Sequence, residues 1–337
     1  MHVLLIKTSS LGDIVHTLPA VEDATRRGVT FDWVVEESFA DLPVLHRGVR
    51  KVIPSAFRRW RRSVPSSLGE VLSFRRTLRK DNYELAIDAQ GLIKSAVVGG
   101  WSRSSVYEGF NWSSASESIA SFFYSSSRDI DKTAHAVDRL RSLFAQVLGY
   151  EVPEGEPDFG LVAKDEPGNH CVLVHGTTWA TKLWPEEFWV RVALRVADSG
   201  MTPVLPWYSQ AERLRAERIS SQVAGSEVLG FMRLASAVGF LARARAVLGV
   251  DTGLSHLAAA LGRPTVVIFG PTDPRLTGCK GVNSRNLHSA LPCSPCLARN
   301  CQYRGRPMEW SGNQVEPACF ATVNPDRVWD EIAALLS

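Results

Sequence analysis

The chain contains no Gly-x-Gly, so neither a dinucleotide-binding fingerprint nor a kinase glycine loop can be drawn in it. It also lacks Gly-x4-Gly-Lys-Ser/Thr, Gly-x-Ser-x-Gly and His-Glu-x2-His. Hydride transfer, P-loop hydrolysis and serine-hydrolase chemistry therefore lose their usual sequence support. No stretch approaches the roughly 18 apolar residues needed to span a bilayer. The apolar run near Met1 is too short for a secretory signal and ends at Lys7. A cytoplasmic protein is the expectation. An excess of one charge is missing too. The 38 Lys and Arg against 35 Asp and Glu leave a net charge of +3, small for a protein that tracks nucleic acid, so any basic feature must act locally. Of six cysteines, five lie between Cys279 and Cys319, unlike the spread of a secreted disulfide framework.

What is present is an α/β rhythm, stated twice. Val3-Leu4-Leu5-Ile6, Phe31-Asp32-Trp33-Val34-Val35 and Leu85-Ala86-Ile87-Asp88 read as buried parallel strands. Between them Ile14, Leu18 and Val21 recur at helical spacing. Pro153, Pro157 and Pro167, among acids and glycines, mark the segment from Glu151 to His170 as a linker around one edge strand. Beyond it the rhythm restarts with Cys171–Val174, Pro203–Leu205, Ala246–Val250 and Thr265–Phe269. With 337 residues, the chain is long enough for two cores. The expected domains are 1–155, a linker 156–170, 171–322 with a Cys-rich loop 279–319, and a C-terminal amphipathic helix within 323–337. Two α/β halves facing across a cleft is the economical architecture. Ligands of open parallel sheets bind beyond the carboxyl ends of strands, so the loops there are where function is expected.

Those loops carry the chemistry. Ser9-Ser10-Leu11-Gly12-Asp13 leads from a strand into a helix N-terminus, where backbone N–H groups suit an anion. Asp13 there is either a helix cap or a base able to take a proton from a hydroxyl. Asp251-Thr252-Gly253-Leu254-Ser255-His256 follows a strand in the second half and opens an alanine-rich helix. It reads either as a capped helix start or as a diphosphate cradle. His175-Gly176-Thr177-Thr178 with Lys182 supplies hydroxyls and a cation suited to a leaving diphosphate, although lysines are mostly solvated. Glu212 is a ribose acceptor or a helix-start acid. Arg58, Arg59, Arg61 and Arg62 surround Trp60, as an anion site or as a solvated face with Trp60 turned inward. Cys293-x2-Cys296-x4-Cys301, with Cys319 downstream, has two thiols at metal-gripping spacing. A structural zinc or iron and free thiols are both open.

Lys7-Thr8-Ser9-Ser10-Leu11-Gly12-Asp13-Ile14-Val15-His16-Thr17-Leu18-Pro19-Ala20 and Val250-Asp251-Thr252-Gly253-Leu254-Ser255-His256-Leu257 together resemble the two signatures of the ADP-heptose:lipopolysaccharide heptosyltransferases. Phe31–Glu37, Arg58–Arg61, Ile87–Leu92 and Phe269–Pro274 resemble the heptosyltransferase I branch of that family. The resemblance runs from Met1 to about Pro274.

It implies a GT-B fold, two Rossmann-like domains with parallel sheets, the acceptor site in the first and the nucleotide-sugar site in the second. It further implies inverting, metal-independent transfer of L-glycero-D-manno-heptose from ADP-heptose to Kdo of Kdo2-lipid A, in the cytoplasm and peripherally at the inner membrane. Asp13 would then be the general base and Lys182 its catalytic counterpart at the diphosphate, with Thr177, Thr178 and the amides of Thr252, Gly253 and Leu254. Asp251 would bind heptose hydroxyls, Glu212 the ribose, Met232 the adenine, with His256 completing the donor set. Ser10, Gly12, Arg58, Arg59, Arg61, Arg62 and Lys94 would face the acceptor. The stretch from Cys279 to Cys319, which holds Cys293, Cys296, Cys301 and Cys319, is longer and richer in cysteine than the branch leads one to expect. The alternatives are heptosyltransferase II, a protein-modifying heptosyltransferase, or a non-catalytic nucleotide-sugar-binding protein. Nucleic acid is not an expected partner.

Overall fold

The computed structural model describes residues 1–62, 64–161 and 166–337. The chain divides into two compact units, Met1–Leu161 and Val162–Ser337.

The first unit holds strands β1 (His2–Ile6), β2 (Thr30–Glu36), β3 (Val49–Ser55), β4 (Tyr83–Asp88), β5 (Ser104–Phe110) and β6 (Ser126–Arg128). They pair in parallel in the order β3-β2-β1-β4-β5-β6. The second holds β7 (His170–Val174), β8 (Thr202–Leu205), β9 (Glu227–Val228), β10 (Ala246–Val250), β11 (Thr265–Phe269) and β12 (Ser284–His288). Its order is β12-β11-β10-β7-β8-β9, again all parallel. Counted within each unit, both sheets run 3-2-1-4-5-6, the doubly wound order whose direction reverses between strands 1 and 4. The expected α/β class with two parallel sheets is what the chain adopts.

Helices cover the sheets, so the central strands are buried on both faces, and that is why they read as continuous apolar runs. In the first unit these are α1 (Leu11–Thr25), α2 (Phe57–Trp60), α3 (Val64–Leu78), α4 (Ile93–Gly100) and α5 (Ala136–Leu148). α1 is buried from Ile14 to Ala24 and packs on α5. Two acids inside that buried stretch find cations: Arg141 Nε donates to Asp23 at 2.6 Å, and Arg47 and Arg26 pair with Glu22. Asp23 with Arg141 is buried on both sides, so deleting either partner would leave a stranded charge and cost about 3–5 kcal/mol.

The second unit has α6 (Glu186–Asp198), α7 (Gln210–Ser220), α8 (Leu234–Ala242), α9 (Gly253–Ala260), α10 (Pro274–Thr277) and α11 (Pro325–Leu336). Its core is built around Trp184, Phe188 and Trp189, all fully buried and packed edge to face. Trp184 Nε1 donates to the Val323 carbonyl at 2.8 Å. That bond ties the segment just after Lys182 to the approach of α11.

The linker reading needs one correction. Residues 151–161 and 166–169 contain no strand, so the expected edge strand is absent among the described residues; residues 162–165 of the expected linker lie outside them. The proline-rich composition there supports an irregular path rather than a ladder.

Candidate functional site

In the first unit the reversal point lies between β1 and β4. The two loops leaving these strands are joined by one side chain. Gln90 Oε1 accepts from the backbone N–H of Thr8 at 3.0 Å and of Ser9 at 3.2 Å. Gln90 is aimed there by a tight turn on Asp88, whose Oδ1 accepts from the N–H groups of Gln90 (2.8 Å) and Gly91 (3.1 Å). Asp88 Oδ2 accepts from the hydroxyls of Ser95 and Tyr124, both at 2.8 Å. Burial pushes the Asp88 carboxyl pKa upward against these bonds.

Ser10 begins α1, and Asp13 closes a capping box with it. Asp13 Oδ2 accepts from the Ser10 N–H at 2.7 Å and from its hydroxyl at 2.8 Å. The carboxylate remains half-exposed. Asp13 is therefore a helix cap whose carboxylate, at the positive end of α1, still reaches solvent. The loop reading changes in one respect. The N–H groups of Thr8, Ser9 and Ser10 are already taken by Gln90 and Asp13, so they offer no anion cradle.

One buried and one half-buried cation stand near Asp13. Lys7 Nζ donates to the Ala89 carbonyl at 3.0 Å. Burial lowers the Lys7 pKa, while the charges of Asp13 and Asp88 oppose that shift. Arg139 is lowered by burial in the same way, opposed by Asp131 and Asp13.

The arginines follow β3. Glu36, at the end of β2, accepts the N–H groups of Phe57 (3.2 Å) and Arg58 (3.1 Å) and so starts α2. Trp60 turns inward among Phe57 and Phe74, as its apolar body requires. Arg59 is committed to Glu37 and Glu70. Its hydrogen bonds to those carboxylates raise its pKa. Arg58, Arg61, Arg62 and Lys94 are exposed.

In the second unit the reversal point lies between β7 and β10, and here the join is ionic. Lys182 Nζ donates to Asp251 Oδ2 at 2.6 Å. The same carboxylate accepts from Thr272 Oγ1 at 2.7 Å and pairs with His256 Nε2 at 3.2 Å. Burial raises the Asp251 pKa, but the His256 hydrogen bond and the charges of His256 and Lys182 outweigh it and hold the carboxyl well below its usual range. The far side of the His256 ring meets Cys279, with Nδ1 and Sγ 3.2 Å apart. Burial opposes a charged ring, yet Cys279 and Asp251 together push the His256 pKa up to about 10.

α9 starts directly after this pair, with Thr252 at its cap. Among the described residues the N–H groups of Thr252, Gly253 and Leu254 donate to no protein acceptor, as a helix start open to an anion requires. Ser255 instead turns back, its hydroxyl donating to the Val250 carbonyl at 2.7 Å. A Cβ on Gly249 would meet that hydroxyl at 2.1 Å, so only glycine permits the tight strand-to-helix return.

Thr177 is half-buried and Thr178 exposed, between β7 and the 3-10 turn Ala180–Lys182. Lys182 and Arg299 lie over the Trp179 ring, at 4.7 and 4.8 Å from its centre. Glu212 accepts from the Tyr208 N–H at 2.7 Å at the start of α7. A Cβ on Gly176 would meet the Glu212 carboxyl within 2.7 Å, so Gly176 lets Glu212 sit against the Thr177 loop. His175, fully buried, has its pKa driven down to about 4 by burial and Arg215, which makes it a neutral packing residue.

Residues 71–306 match the model of glycosyltransferase family 9 (heptosyltransferase). The chain is 45% identical to lipopolysaccharide heptosyltransferase 1 of Pseudomonas aeruginosa, over 100% of its own length and 98% of that protein's. Its structure is similar to that of E. coli heptosyltransferase WaaC with ADP, at a TM-score of 0.81 and 44% identity, covering 85% of this chain and 92% of that one. Similarity to WaaC with ADP-2-deoxy-2-fluoro heptose is comparable, with a TM-score of 0.79, 43% identity and coverage of 86% and 93%. The chain belongs to glycosyltransferase family 9.

As a family 9 glycosyltransferase it is an enzyme, and the reading as a non-catalytic binding protein loses its support. Its late cysteines gather in one place. Cys293, Cys296, Cys301 and Cys319 line one cavity of about 230 Å³, and all four are free. Yet among the described residues no three His, Cys, Asp or Glu are grouped so as to hold a metal. The Cys319 thiol is pushed up to about 12 by burial and by the other three thiols. The segment also braces the loop that carries Lys182, where Thr181 Oγ1 donates to the Ala298 carbonyl at 2.7 Å.

Several residues of this glycosyltransferase escaped sequence reasoning. Lys7, Gln90, Thr272 and Cys279 act across long separations, and only Lys7 carried a local cue, as a cation at a strand end. Met232 is half-buried beside Phe231, whose ring lies 6.0 Å from that of Trp207 and 6.4 Å from that of Tyr208. These aromatics were not singled out.

Proposed function

We propose that this glycosyltransferase moves L-glycero-D-manno-heptose from ADP-heptose to Kdo of Kdo2-lipid A, the inner-core step, working peripherally at the cytoplasmic face of the inner membrane. The observation that carries it is the Lys182–Asp251 pair set beside the open N-terminus of α9. A cation fixed by a buried carboxylate, next to unpaired amides, is pre-organised for a diphosphate on which negative charge grows as the sugar departs. Thr177 and Thr178 add hydroxyls to that site. Glu212 takes the ribose, with Met232 and the neighbouring aromatics against adenine. Three donors already converge on Asp251, so it holds Lys182 and His256 in place and keeps little acceptor capacity for a heptose hydroxyl.

Asp13 is the base. It removes the proton from the Kdo hydroxyl as that oxygen attacks the anomeric carbon from the face opposite the diphosphate, inverting the centre. Ser10 and Gly12 border it, and Arg58, Arg61, Arg62 and Lys94 pair with acceptor carboxylates and phosphates. Arg59, held by Glu37 and Glu70, serves α2 and α3 instead. Lys182 and the α9 amides supply the charge stabilisation a divalent ion would otherwise provide, so turnover is expected to survive chelation.

The experiment is transfer from ADP-heptose to Kdo2-lipid A, with ADP release followed in parallel and a chelator arm. Heptosylated Kdo2-lipid A as product supports the reading. ADP release only with an already heptosylated core would move the enzyme to the heptosyltransferase II reaction.

A further inference from the structure

Isolated exposed apolar side chains are ordinary on a protein surface; a cluster of large ones is not. The first unit carries such a cluster. Trp112 is 55% exposed, Ile119 52% and Phe122 76%, and the rings of Trp112 and Phe122 touch with centres 5.4 Å apart. Phe123 and Ile93 extend the same patch, because the 3-10 turn Ser118–Phe123 packs against α4.

This patch is held open by polar bonds rather than collapsed onto the core. The Glu117 carboxylate accepts from the Ile93 N–H at 2.7 Å, and the Glu117 N–H donates to the Gly91 carbonyl at 3.0 Å. Below Trp112, Asp129 Oδ1 accepts from Asn111 (3.0 Å), Ser113 (3.1 Å) and Ser114 (3.2 Å). Those bonds anchor both ends of the segment and leave its aromatic side chains pointing to solvent.

The surroundings carry the second argument. All strands of this sheet are parallel, so the segments after β1, β3, β4 and β5 emerge at one end of it. That end bears Asp13 after β1, exposed Arg58, Arg61 and Arg62 after β3, and exposed Lys94 after β4, besides the aromatic patch after β5. Exposed cations at the same end of the sheet as an exposed Trp–Phe–Ile cluster match a surface that is anionic outside and apolar just beneath.

We propose that the segment Trp112–Phe123 inserts into an anionic phospholipid bilayer, with Arg58, Arg61, Arg62 and Lys94 facing the headgroups. This deepens the reading above and rests on it in one respect: a lipid-linked acceptor must be met at the bilayer surface, and the patch brings that surface to the end of the sheet bearing Asp13.

The test uses the full chain with phosphatidylcholine vesicles, with and without phosphatidylglycerol, in a co-sedimentation assay. Wild type should partition onto the anionic vesicles. Trp112→Ser combined with Phe122→Ser should lower that partitioning about tenfold or more. The same variant should keep the thermal midpoint of wild type and its turnover on a deacylated, water-soluble acceptor. Phe122→Trp should retain partitioning. Equal partitioning of the serine variant and wild type, or none by wild type, overturns the proposal. So does a dimer in sedimentation velocity that the serine pair dissolves without any vesicle binding, since the patch would then meet a second copy. Patch-dependent vesicle binding by an enzyme inactive on the soluble acceptor would instead sink the heptosyltransfer reading and leave this surface standing.

Discussion

In the first unit the loops leaving β1 and β4 are joined by neutral hydrogen bonds that Gln90 accepts, whereas in the second the loops leaving β7 and β10 are joined by the ion pair of Lys182 with Asp251. The strand order and the position within it are the same in both units. A neutral clamp positions backbone without using a charge, and Asp13 beside it stays half-exposed, as the proposed base requires. An ionic clamp fixes a cation in a poorly solvated site, where it acts strongly on a developing negative charge and needs no rearrangement as the bond breaks. One topology thus presents a half-exposed carboxylate at one reversal point and a carboxylate-held cation at the other, the two groups on which the proposed transfer rests.

The largest effect expected from breaking this division is on the first side. Asp13→Ala should lower kcat by about a hundredfold to ten-thousandfold, the range for losing a positioned base, as read in a heptose-transfer assay. Its cost to stability should be only about 1 kcal/mol, for the lost cap. Next comes Lys182→Ala, with kcat down about a hundredfold to a thousandfold. This variant should also unfold at lower temperature, because Asp251 loses a charged partner in a buried site. A thermal midpoint equal to that of wild type would contradict the role given to the ion pair.

A smaller effect is expected from Gln90→Ala. It frees the N–H groups of Thr8 and Ser9 and loosens the loop before Asp13, so the KM for the acceptor should rise about tenfold while that for the donor stays put. Equal changes in both would mean that the loop serves the whole enzyme rather than one substrate.

The smallest effect is a pH dependence of stability. The folded pKa of His256 is raised from 6.5 to about 10. Its stabilisation is therefore complete below the unfolded value and fades as the pH climbs through the folded one. The gap in thermal midpoint between wild type and His256→Gln should narrow steadily between those two values. A constant gap would show that the ring acts by packing alone.

Much of this was legible in the sequence because the central strands are buried on both faces. Val3–Ile6, Cys171–Val174 and Thr265–Phe269 announce themselves as unbroken apolar runs. The edge strands β3 and β12, and β5 one place in from the edge, did not, since Arg50, Lys51 and Pro54, Arg285 with Asn286, and Glu108 dilute the pattern where one side of a strand meets water. At the site, Asp13, Lys182, Asp251 and His256 were readable as reactive types at strand ends. Their partners were not. Gln90 meets Thr8 across more than eighty positions of chain, and nothing local marks Cys279 as the neighbour of His256. The cysteine spacing was readable as a cluster, and the four thiols do line one cavity, though among the described residues no metal-holding group of three forms.

The division of labour between the two reversal points is tested most directly by calorimetric titration of ADP into wild type, Asp13→Ala and Lys182→Ala. The account predicts that Asp13→Ala binds ADP as wild type does, while Lys182→Ala binds it about tenfold or more weakly. Weakening by Asp13→Ala, or undiminished binding by Lys182→Ala, would contradict it.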